Sequence, residues 1–184
     1  MKFIHLQVFA VLSLFFTTVS SAQAASDDDM ASKILAQHES GPSIRSLNWL
    51  NQNYMDKQRS TVNGLLSTYF GKRLQGDKRD LSSLQRIVNE ELITRVNTQD
   101  LQALGVALGD VFISENSLFE WVIYEDDVGS TQAVCVKSTK HCLFPITMLS
   151  RRMEVGLKPS VNRIFNASLE EMQPYLPKTP YSVK

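Results

Sequence analysis

Between Asp100 and Arg152 the period of the apolar positions changes, and the change predicts the framework of the chain. Leu101, Leu104, Leu108 and Val111 or Phe112 recur three and four apart, which is one buried face of a helix. Asn97 or Thr98 can cap that helix, and Asp100 falls in the first turn, where the helix dipole favours a carboxylate. From Phe119 the period drops to two. Phe119, Trp121 and Ile123 then share one face of a strand, with Glu120, Val122 and Tyr124 on the other. Asp126-Asp127-Val128-Gly129-Ser130 is turn chemistry, after which Gln132–Val136 returns as the partner strand and Cys142–Phe144 can make a third. Pro145 ends that strand because it has no amide proton to give a ladder. Thr147 is expected to cap a helix that carries Arg151-Arg152 and stops at Gly156.

Upstream, apolar spacing predicts a long helical segment from about Ser43 to Leu74, marked by Ile44, Leu47, Leu50, Tyr54, Val62, Leu66 and Phe70. A polar gap from Asp56 to Thr61 predicts a break or bend within it. Gly71 and Gly76 are stop signals, and Asp80 is placed to cap a helix with Leu81, Leu84, Ile87 and Val88 inward. Ser26-Asp27-Asp28-Asp29 caps a short helix ended by Gly41-Pro42, and Pro159-Ser160 opens a C-terminal one. The expected class is α+β: a helical N-terminal half packed on a small antiparallel sheet of two to three strands, followed by C-terminal helices. The pattern fits one domain over 25–176, with a flexible tail from 177 to 184 that has nothing to bury.

Gly105 and Gly109 lie one above the other on the predicted helix. Each costs roughly 1 kcal/mol against alanine in a helix interior, so close packing should offset that loss. A ligand resting on the bare patch is the alternative.

Met1 to Ala24 has the form of a targeting segment: Lys2 in a short positive start, an apolar stretch from Leu6 to Phe16, and Ala22-Gln23-Ala24 as a cleavage site. The expectation is cleavage after Ala24 and a soluble periplasmic protein, without stable membrane insertion. The whole chain balances 19 Lys and Arg against 19 Asp and Glu, and loss of Lys2 takes it from 0 to −1. Such a mixture carries no electrostatic footprint for nucleic acid and no polybasic anchor for anionic lipid.

With 2 cysteines in an exported chain, a Cys135–Cys142 bridge is expected. Val136 and His141 would form the last hydrogen-bonded pair of a hairpin, which puts 135 and 142 at the closer, non-hydrogen-bonded site. Cys135, His141 and Cys142 do not make a recognisable zinc set, and no cofactor motif is present. No nucleophile–base arrangement stands out, since His141 beside Cys142 on a strand points to the opposite face. Candidate binding residues are Arg151, Arg152, Trp121, Glu120 and Asp110. Gly105, Gly109 and Pro145 are structural candidates. Two functions remain: a non-enzymatic binding or adaptor domain for an envelope protein or anionic ligand, and an envelope-acting hydrolase using strand and helix carboxylates.

Three stretches also carry a resemblance. LGVALGDVF, FEWVIYEDDVG and LFPITMLSRRMEVG, preceded by TYFGKRLQGDKRDLSSLQRIVNEEL, resemble the bacterial family called domain of unknown function 3806. The likeness runs roughly from Asp56 to Gly156 and implies a small α+β domain with no assigned activity and no catalytic residue to carry over. The two cysteines are not part of its pattern.

Overall fold

The computed structural model describes residues 41–177. The targeting segment with Ala24, the helix expected after Ser26 and the tail beyond 177 lie outside them. Strand β1 (Ser43–Ser46) leads into helix α1 (Trp49–Phe70), followed by α2 (Arg79–Asn89) and α3 (Thr98–Glu115). The chain then forms β2 (Phe119–Asp126), β3 (Gly129–Val136) and β4 (Cys142–Leu143), and ends in α4 (Pro145–Glu154) and α5 (Val161–Met172). The four strands make an antiparallel sheet in the order β1-β2-β3-β4. The fold is therefore mixed α+β, as its sequence pattern indicates, with four strands where two to three were expected.

The additional strand is β1, which lies at the start of what the apolar spacing marks as a helix. Ile44 pairs with Tyr124 and Arg45 with Ile123, so a partner almost 80 positions away overrides the local pattern. Asn48 then starts α1 with a reciprocal capping box, its side chain accepting from the Asn51 amide at 2.9 Å. The helix runs without a break through the polar positions 56–61, because Met55, Gln58, Val62 and Leu66 keep one face buried. It closes at Gly71, whose φ of 62° is a left-handed cap that glycine adopts without a Cβ penalty.

Two expected caps are corrected. Asp80 lies inside the first turn of α2, 1% exposed, and its carboxylate accepts from the Gln75 and Gly76 amides at 2.7 to 3.0 Å. It fastens the preceding loop, where a capping side chain would accept from the helix's own amides. Helix α4 begins with Pro145 as its first residue, where a missing amide proton is harmless, and Thr147 is its third, inside the first turn. Asn97 caps α3 as expected, accepting from the Asp100 amide.

The helices cover one face of the sheet. Phe119, Val134, Val136 and Leu143 join Leu84, Leu104, Leu108, Phe112, Leu149 and Phe165 in a buried cluster, with Phe112 and Phe165 stacked at 4.8 Å. The opposite face carries a smaller cluster of Val122, Ala133 and Cys135 flanked by Ile44 and Tyr124.

The Cys135–Cys142 bridge forms on that second face, between directly opposed residues of β3 and β4 with Cα atoms 4.0 Å apart. The Val136 amide donates to the His141 carbonyl at 3.0 Å, so the pair occupies the close site that the loop length predicts. Thiol titration of the unfolded, unreduced protein is expected to find no free thiol at 135 or 142. Reduction should lower stability by about 2–3 kcal/mol for so small a loop. Two titratable thiols would contradict the pairing. No described helix is long and apolar enough to cross a membrane.

Candidate functional site

Asp110 is the junction of three elements. It projects from α3 and accepts from both Nε and Nη2 of Arg59 on α1, each at 2.7 Å, and from Trp121 Nε1 on β2 at 3.0 Å. A planar guanidinium fork on a carboxylate is the strongest of the common side-chain pairs. Arg59 also donates to Asp56 at 2.8 Å, one turn earlier on its own helix. The hydrogen bonds from Arg59 to Asp110 raise the guanidinium pKa above its ordinary value, against the opposing effect of burial. Both side chains are about one quarter exposed, at 30% and 21%. Asp110 is thus committed to internal bonds, and those bonds hold α1, α3 and the sheet together.

The two glycines determine how closely the neighbours approach. A Cβ on Gly105 would lie 2.4 Å from the Ile146 Cα and the Pro145 carbonyl oxygen, so α4 starts directly against α3. A Cβ on Gly109 would lie 2.1 Å from the indole ring of Trp121. The bare patch is filled by protein, with no room for a ligand. Trp121 therefore lies over Gly109 while its ring nitrogen reaches Asp110, one residue further along the helix.

The remaining candidates do not join this cluster. Glu120 alternates with Trp121 and points to the other sheet face, where it is exposed opposite Cys135. Arg151 and Arg152 are both exposed near the end of α4. Arg152 bends back to donate to the Met148 carbonyl at 2.5 Å and lines a groove of about 600 Å³. Arg151 does not line it. Lys158 and Arg163 complete the cationic lining, with Leu157, Pro159 and Ile164 as the apolar part. Lys158 is fixed by its bonds to the Asn89 carbonyl (3.1 Å) and Glu91 (3.5 Å). Among the described residues neither Arg152 nor Arg163 has a carboxylate partner, and no acidic residue lines the groove.

Arg59, Lys158 and Arg163 were not among the residues singled out by the sequence. Arg59 precedes its partner Asp110 by 51 positions, and nothing local marks the pair. Lys158 and Arg163 flank the start of α5, so their meeting with Arg152 depends on the turn between α4 and α5. Among the described residues, no group of three His, Cys, Asp or Glu is arranged to hold a metal ion.

The sequence profile of the family described as Domain of unknown function (DUF3806) matches residues 80–165. This segment belongs to the DUF3806 family. It contains Gly105, Gly109, Asp110 and Trp121, and also the groove residues Arg152, Lys158 and Arg163, whereas Arg59 enters from outside the matched DUF3806 segment. A crystal structure from Bacteroides thetaiotaomicron VPI-5482 is similar in fold, with a TM-score of 0.63 at 12% identity over 71% of this chain and 48% of that one. The chain accordingly spans about half the length of that protein. No curated protein matches the chain.

Proposed function

We propose that the chain is an exported periplasmic binding domain without catalytic activity, which takes a phosphoryl or carboxyl group in the groove between α4 and α5. The observation that carries this reading is the groove lining: Arg152, Lys158 and Arg163 around about 600 Å³, with no acidic residue among them. Guanidinium groups without a carboxylate partner keep donors for a ligand, with Arg152 committing one to the Met148 carbonyl, and Arg suits planar or tetrahedral oxyanions. The disulfide is compatible with export, since such bridges persist in oxidising compartments. The alternative, a hydrolase working through paired carboxylates, is less favoured. Asp110 is held by Arg59 and Trp121, and Glu120 projects from the opposite face of the sheet. A glycosidase-type pair needs both groups on one cleft.

Calorimetric titration with inorganic phosphate and with acetate tests the reading. The double variant Arg152→Glu/Arg163→Glu should lose roughly tenfold or more in affinity for whichever oxyanion binds, since charge-assisted bonds are lost and repulsion added. Both positions are exposed, so thermal stability should change little. Arg151→Glu, outside the groove, should have the smaller effect. A folded double variant that binds the oxyanion as the parent does would overturn the assignment.

A further inference from the structure

A second hollow of about 170 Å³ adjoins the groove, and Leu157 and Lys158 form a wall common to both. Its floor is apolar: Val88, Ile93 and Met153 line it and are 1%, 6% and 6% exposed. Its rim is polar. Arg95 reaches across from the α2–α3 loop and packs so closely on Gly156 that a Cβ there would lie 2.4 Å from the guanidinium. Glu91, held at a φ of 50°, meets Arg95 at 3.6 Å and Lys158 at 3.5 Å, so its charge is already balanced. Leu157, on the shared wall, is left 59% exposed.

We propose that the ligand of this site is a small amphiphilic anion: its charged group sits among Arg152, Lys158 and Arg163, and an apolar group about the size of a benzene ring enters the neighbouring hollow. This deepens, and rests on, the reading of the groove as an oxyanion site. Three observations carry it. The hollow opens to solvent, and its volume is close to that of cavities known to hold benzene, about 150 Å³. Its floor of Val88, Ile93 and Met153 has no group to bond an ion, and the charged groups on its rim, Glu91, Arg95 and Lys158, are already paired with one another. The groove beside it has the reverse character, with three cations and an exposed Leu157 on the side facing the hollow. A bare phosphate would leave the exposed Leu157 wet and the hollow unfilled. A neutral apolar molecule would leave the arginines unused. A ligand with both parts, lying across Leu157, satisfies both.

Titrations of the purified chain with inorganic phosphate, phenyl phosphate, acetate and phenylacetate separate the possibilities. The aryl form of the preferred head group should bind roughly tenfold or more tightly than the bare oxyanion, a typical gain for an apolar group entering a fitting pocket. The phosphate and carboxylate arms decide which head group is taken. Thr94 lines the hollow and is exposed, so Thr94→Trp fills the space with little expected effect on folding. That variant should abolish the aryl advantage and leave binding of the bare oxyanion unchanged. If the bare oxyanion binds and the aryl form gains nothing, or keeps its gain in Thr94→Trp, the bipartite ligand is wrong while the oxyanion site stands. If none of the four probes binds, both are wrong.

Discussion

Gly105→Leu should destabilise the protein by about 3 kcal/mol or more, at the upper end of what overpacking costs. The obstacle is backbone: the Ile146 Cα and Pro145 carbonyl lie 2.4 Å from where the new Cβ would sit, and neither can move without shifting the start of α4. Gly109→Leu meets a side chain, the Trp121 indole at 2.1 Å, but that ring is held by its bond to Asp110. It should also be costly, by about 1–3 kcal/mol or more. Gly64 supplies the control. It too lies inside a helix, yet nothing stands within 4 Å of its Cβ position, so Gly64→Ala should stabilise by about 0.5–1 kcal/mol through helix propensity. Chemical denaturation of the three variants checks the contrast. If Gly105→Leu unfolds at the same denaturant concentration as the parent, α3 and α4 are not packed backbone to backbone.

Asp110→Ala should cost about 2–3 kcal/mol, because it removes a bidentate, charge-assisted pair and leaves Trp121 Nε1 and the Arg59 fork without their acceptor. Asp110→Asn retains an acceptor for the indole and should fall between alanine and the parent. A double-mutant cycle with Arg59→Ala isolates the pair, with an expected coupling of about 1–2 kcal/mol. The pairing raises the Arg59 pKa, so its contribution is full below the ordinary arginine value and is lost only as the pH climbs through the raised one. Across the neutral range arginine ionisation therefore leaves the bridge intact. A coupling near zero would mean that the fork is a surface contact of no energetic consequence.

The features legible in the sequence are those set by neighbours close in the chain. The three- and four-residue spacing of Leu101, Leu104 and Leu108 specifies α3 without reference to anything else. The hairpin follows from Asp126, whose carboxylate accepts from the Val128 and Gly129 amides and shapes the turn on the spot. The Cys135–Cys142 bridge could be placed because one short hairpin fixes both residues. Gly105 and Gly109 announced a close approach, although not what approaches. Illegible features depend on distant partners. Strand β1 exists because Val122–Glu125 offers it a ladder, and its own four residues say little. Asp110 stood out from its motif, but its role came with Arg59, and the polar positions that predicted a bend in α1 include the two residues, Asp56 and Arg59, that build this network. At the groove, Arg152 was visible while Lys158 and Arg163 were not, because a turn between two helices brings them together.

The position of a bound anion is the most direct measurement of what this domain does. In crystals soaked with tungstate, anomalous scattering should place a tungsten peak between Arg152, Lys158 and Arg163, about 4 Å from their donor nitrogens, as one oxygen between metal and donor requires. A groove without a peak, while tungstate occupies other sites on the same molecule, would contradict the assignment of this surface as the binding site.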